Sequence, residues 1–124
     1  MLKTLIAATL FAVPLAAMAD PTPLAARTQT EIDHLFGYIA ASDCKFSRNG
    51  SWHDMAEARE HVNVKYDWLR GRGMIDSTES FIDKAASRSS LSGQDYLVQC
   101  PGAVAVPTGS WLKAELARYR GRQE

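Results

Sequence analysis

Residues 44–50 read Cys-Lys-Phe-Ser-Arg-Asn-Gly, and residues 96–100 read Tyr-Leu-Val-Gln-Cys. Both segments have the alternating pattern of a short strand. One starts at a cysteine and the other ends at one; Cys44 and Cys100 are the chain's two cysteines. Two cysteines in an oxidising compartment usually pair. Antiparallel pairing of the two segments, with Phe46 near Val98, is then the economical arrangement. Asn49-Gly50 marks the turn after the first segment, because both residues tolerate φ > 0. Closing so long a loop removes unfolded-state freedom worth up to ~4 kcal/mol. A reactive thiol or a metal ligand is the alternative, but the cysteines have no CxxC spacing and no Cys/His cluster.

Outward from this pair the chain reads helical. Thr28-Gln29-Thr30-Glu31 matches a capping box and precedes Ile32, Leu35, Phe36 and Ile39 at helical spacing. Ser51-Trp52-His53-Asp54 is read as a second box, opening a long helix with Met55, Ala58, Val62, Tyr66 and Leu69 on one stripe. Gly71 and Gly73 stop it. A third cap at Asp76 or Ser77 starts a short helix with Phe81, Ile82, Ala85 and Ala86, running to about Arg88. After a Pro107-Thr108-Gly109 turn, Ser110 is expected to cap a last helix with Leu112, Leu116 and Tyr119 inward. Arg118, Arg120 and Arg122 would suit its negative dipole end. The expected fold is α+β and mostly helical: about four helices, a two-stranded antiparallel sheet and one disulfide.

The start of the chain reads as an export signal. Lys3 is followed by an apolar run over residues 5–15 and by Ala17-Met18-Ala19, an A-x-A cleavage site. The run is shorter than the ~20 apolar residues a membrane span needs. Residues 1–19 are therefore expected to be cleaved, 20–27 to form a flexible leader, and 28–124 to form one domain in a periplasm. Cleavage removes only Lys3 among the charged residues, leaving 13 basic and 14 acidic side chains. That balance argues against general nucleic-acid binding and against a dedicated anionic-membrane surface.

Four spaced motifs carry a family resemblance. They are Phe46-x-Arg48-Asn49-Gly50, Ala58-x-x-His61-Val62-x-x-Lys65, Glu79-x-Phe81-Ile82-Asp83-Lys84, and Ala86-Ser87-x-Ser89-Ser90-x-x-Gly93-x-x-Tyr96-x-Val98. Together they cover most of residues 46–101. The chain resembles the YfeK-like family of small exported Gram-negative proteins, a domain-of-unknown-function family. The resemblance implies a periplasmic protein and brings no assigned catalytic residues.

The candidate binding residues come mainly from those motifs: Arg48, Asn49, His61, Lys65, Ser87, Ser89, Ser90, Ser92 and Tyr96. Gathered in one groove, they suit an anionic group such as a carboxylate or phosphate. The serines would lie in an exposed loop, since residues 89–95 carry Leu91 as their one large apolar side chain. Ser90 to Tyr96 also looks like the Ser-Gly-x-x-Tyr loop of C-type lysozyme inhibitors, which enters the lysozyme cleft. His53, Glu57 and His61 recur every four residues, but each step drifts ~40° around the helix, so no metal site is assigned. Ser110-x-x-Lys113 lacks the companion motifs of penicillin-recognising enzymes and is set aside. Val64 and Trp68 fall on the back of the long helix, where another helix is expected to cover them. Three histidines (34, 53 and 61) among many serines leave a nucleophilic triad open, but no nucleophile elbow is present. The reading is binding rather than catalysis, without a cofactor. The partner is expected to be a periplasmic protein or a small anionic ligand, and inhibition of a periplasmic hydrolase is the second reading.

Overall fold

The structure, a computed structural model, describes residue 4, residues 7–9 and residues 23–123. The expected cleavage site at Ala17-Met18-Ala19 lies outside the described residues. Eight elements follow in order: α1 (Ala26–Ala41), β1 (Lys45–Arg48), β2 (Ser51–His53), α2 (Met55–Arg70), α3 (Thr78–Ala85), β3 (Leu97–Gln99), β4 (Val106–Pro107) and α4 (Thr108–Arg122). The fold is α+β and mostly helical.

The sheet has four strands, in the order β2-β1-β3-β4, rather than the expected two. Phe46 does pair with Val98. Cys44 and Cys100 are bonded, one residue beyond the Lys45–Gln99 pair. The extra strands come from turn and edge geometry. Asn49 and Gly50 have φ of 51° and 82°, so a two-residue primed turn folds β2 straight back on β1. Residues 51–53, read as part of a cap, therefore become strand, with Arg48 opposite Ser51. Asp54 alone caps α2, its carboxylate accepting from Glu57 N–H at 2.9 Å. On the far side, β4 ends in Pro107, which an edge strand tolerates because no outer neighbour needs its missing N–H.

Two other caps differ from expectation. The first helix begins at Ala26, inside the expected leader, and Thr28 lies within it. Glu31 does not reach back to the backbone; it is buried and accepts from Arg120 and Thr78. The last helix begins at Thr108, and Ser110 stands exposed in its first turn rather than capping it. By contrast, Ser77 does cap α3, closing a reciprocal box with Ser80. That helix ends at Ala85, sooner than expected.

The core forms where α1, α2 and α3 meet. The rings of Phe36, Tyr66 and Phe81 lie within 5.7 Å of one another, packed on fully buried Ile32, Leu35 and Ile82. Each such burial contributes ~1.5–3 kcal/mol. Helix α4 closes the other side with Leu112 and Leu116, and Trp111 stacks on Tyr38 at 4.4 Å. Among the described residues no helix covers the back of α2. Val64 and Trp68 are 59% and 54% exposed, against the expected cover, and the Arg72 guanidinium lies 3.8 Å over the Trp68 ring. Among the described residues no helix is long and apolar enough to cross a membrane.

Candidate functional site

The Arg48 end of β1, the outer face of α2 and the residue before β3 converge. Phe46 and Arg48 are two apart on the strand, so they share a face; Phe46 is buried and Arg48 half-buried at the sheet's rim. His61 and Lys65 are four apart on α2 and therefore neighbours. Arg48 Nη1 donates to His61 Nδ1. A guanidinium only donates, and Arg48 Nη1 lies closer to Nδ1 than to Nε2 at 3.3 Å, so His61 Nδ1 accepts and Nε2 carries the hydrogen. Nε2 then donates to the Tyr96 hydroxyl oxygen at 3.1 Å, and Lys65 Nζ donates to the same oxygen at 3.3 Å. Both lone pairs of that oxygen are used, which leaves the phenol hydrogen to be donated outward.

Burial lowers the pKa of His61, helped by the charges of Arg48, Lys65 and His53. Burial also lowers Lys65, with Arg88 adding to it, and raises Tyr96 against the opposing charge of Arg48. The cluster thus holds a neutral imidazole and a neutral phenol between two cations. Among the described residues neither Arg48 nor Lys65 pairs with a carboxylate.

The serine loop is a second tight hairpin, closed by the Arg88–Asp95 bridge. It is not simply exposed. Ser89 is buried, and its hydroxyl accepts from Leu91 N–H and Ser92 N–H at 3.3 Å and from Asn49 Nδ2 at 3.2 Å. Ser92 donates back to Asn49 Oδ1. Ser87 is buried away from the cluster, and its hydroxyl donates to Ile82 O at 2.7 Å. Asn49, Ser87, Ser89 and Ser92 therefore brace the loop. Ser90 is exposed on it and makes no side-chain hydrogen bond among the described residues, and Leu91 projects from its tip, 97% exposed.

Two clefts open on either side of the cluster and share Arg48, His53, His61 and Tyr96. The larger, about 690 Å³, is bounded by Lys65, Val64 and Trp68 on α2 and by Ser89, Ser90 and Leu91 on the loop. The other, about 600 Å³, runs inward past Val62, Ile39 and Phe46 to Thr108. The sequence motifs brought out Arg48, His61, Lys65 and Tyr96. Trp68 and Thr108 were missed as site residues. The signal for Trp68 was present, since a Trp on the polar back of an amphipathic helix calls for a partner. Thr108 carried none, because it lay in an assumed turn.

The remaining candidates do not assemble. His53 Nδ1 contacts Glu57 Oε2 at 2.8 Å, and among the described residues no three His, Cys, Asp or Glu side chains group to hold a metal. Lys113 pairs with Asp83 at 2.9 Å rather than with Ser110.

The chain is 39% identical over 72 residues to the uncharacterized protein YfeK of Salmonella typhimurium, a match covering 57% of this chain and 58% of that protein. It thus spans under two thirds of that relative's length. No solved structure matches. A family model described as a family of unknown function matches residues 26–120, from the first residue of α1 nearly to the end of α4. The chain belongs to that family, DUF5329.

Proposed function

We propose that this protein is an exported, non-enzymatic binding module of the periplasm whose larger cleft takes an anionic group carried on an apolar body. One observation carries the reading: Lys65 donates to the Tyr96 hydroxyl and Arg48 to the His61 ring beside it, and neither cation has a carboxylate partner among the described residues. Half-buried cations left unpaired favour an incoming carboxylate or phosphate, because charge-assisted hydrogen bonds are the strong ones. The exposed faces of Trp68 and Val64 along the same cleft suit an apolar body beside that charge. Removal of residues 1–19 is supported by the tripartite pattern at the start of the chain. The Cys44–Cys100 bond is what an oxidising compartment maintains.

The test is a titration of the purified oxidised protein with inorganic phosphate and with phenyl phosphate, followed by calorimetry. Phenyl phosphate is expected to bind more tightly. Arg48→Gln and Lys65→Met are each expected to weaken binding about tenfold or more, since a charge-assisted bond contributes ~1.5–3 kcal/mol. Saturable binding of neither probe would end this reading.

A second reading is inhibition of a periplasmic hydrolase such as lysozyme through Ser92-Gly93-x-x-Tyr96. Its support is Leu91, displayed on a braced hairpin that needs little ordering to dock. Cell-wall clearing assays with chicken-, goose- and invertebrate-type lysozymes decide it, and Leu91→Asp should abolish any inhibition.

A further inference from the structure

We propose that the inner cleft is a separate binding site, and that its ligand is uncharged, with an apolar body and a hydroxyl or amide at its buried end. The carrying observation is Thr108. It is 3% exposed and lines this cleft, and its hydroxyl oxygen has no hydrogen-bond partner among the described residues. The fold holds it there firmly: Thr108 opens α4, and its backbone N–H donates to Tyr96 O at 2.8 Å. A buried hydroxyl without a partner is costly, and the cost is recovered when a ligand supplies the missing hydrogen bond.

A second unpartnered polar atom belongs to His53, which also lines this cleft. His53 Nε2 is buried without a partner among the described residues, while Nδ1 faces Glu57. Glu57 accepts from Nδ1–H, so in the neutral ring Nε2 is left as an acceptor. The site therefore offers a hydroxyl at one place and a bare acceptor at another, between the apolar walls of Ile39, Phe46 and Val62. A ligand O–H or N–H meets both demands.

Glu57, Glu60 and Arg48 line this cleft with both signs of charge, so its walls favour neither an anion nor a cation. At the buried end Thr108 offers a neutral hydroxyl, which cannot compensate a full charge taken out of water. The two clefts thus differ in what they accept: anionic groups beside Lys65, uncharged polar ends beside Thr108.

Amide chemical shifts of the oxidised protein, titrated with benzyl alcohol and with toluene, test the assignment. Benzyl alcohol should shift Ala58, Val62 and Thr108 saturably, and toluene should bind several-fold more weakly. Thr108→Val should erase that preference and raise the melting temperature of the ligand-free protein, since an unpaired buried hydroxyl is removed. Thr108→Ser keeps the hydroxyl and should keep the preference. Lys65→Met should weaken phosphate binding and leave benzyl alcohol binding intact, so failure at either cleft reads separately. No saturable shift at these amides would overturn the proposal. So would shifts confined to the Trp68 and Leu91 side, or a valine variant that melts lower and still prefers the alcohol.

Discussion

His61 is wedged between Arg48 and Lys65, and its arrangement works only while the ring is neutral. Protonating Nδ1 would turn an acceptor into a donor facing a guanidinium. Its folded pKa lies below the ordinary 6.5, chiefly through burial. The unfolded chain therefore binds the proton more readily, and stability rises with pH across this window. The contribution is complete above about 6.5 and is lost as pH falls toward the lowered folded value. We expect the melting temperature to fall between pH 7 and pH 5, and His61→Gln to flatten part of that slope. A variant with an unchanged slope would contradict this. Glu31 acts in a different window: the hydrogen bond from Arg120 holds its carboxyl at about 2, so its contribution is lost only as pH falls from 4.5 toward that value. Arg48, His61, Lys65 and Tyr96 were legible in the sequence because each is a polar residue at fixed spacing within a motif. Thr108 was not, since its meaning depends on being first in a helix whose start the sequence leaves open.

Helix α4 begins against Ser87, two residues past the end of α3, and glycine makes that contact possible. A Cβ on Gly109 would lie 2.5 Å from Ser87 Oγ and 3.2 Å from Ser87 Cβ. Ser87 cannot turn away freely, because its hydroxyl is committed to Ile82 O. Gly109→Ala is expected to destabilise by ~1–3 kcal/mol through overpacking. Gly121→Ala, in the same helix with nothing within 4 Å, is expected to be neutral or to stabilise by up to ~1 kcal/mol. Urea unfolding of both variants checks the pair, and equal midpoints would show that the contact relaxes without cost. Among the elements, α2, α3, β1 and β3 were readable because a periodic stripe or an alternating run marks them. Whereas β3 sits inside the run from Tyr96 to Cys100, strands β2 and β4 lie in no alternating run. They exist because the Asn49-Gly50 turn and the edge beside Val98 present backbone groups to pair with.

Across the molecule, the pairs that join distant segments were the least legible part. The arginines of α4 looked suited to the helix dipole. Arg120 instead reaches Glu31 on α1 and Glu79 on α3, and Arg118 and Arg122 flank buried Glu115. A local pattern cannot announce a partner 89 residues away. The cysteines could be paired because only two were available. That pairing has a consequence in time. Cys44 and Cys100 are 56 residues apart, and α2 and α3 lie in the loop between them. Without the bond, β1 must find β3 by a long diffusive search before any contact compensates the lost chain entropy. With the bond kept through unfolding, that search is over before refolding starts. The oxidised chain is expected to refold faster than the reduced one in stopped-flow dilution from urea, with unfolding rates much closer together. If the whole difference appeared in unfolding instead, β1 and β3 would meet only after the rate-limiting step. If the expectation holds, a chain oxidised early would pass less time with its strand edges open to other chains, the interval in which aggregation competes with folding.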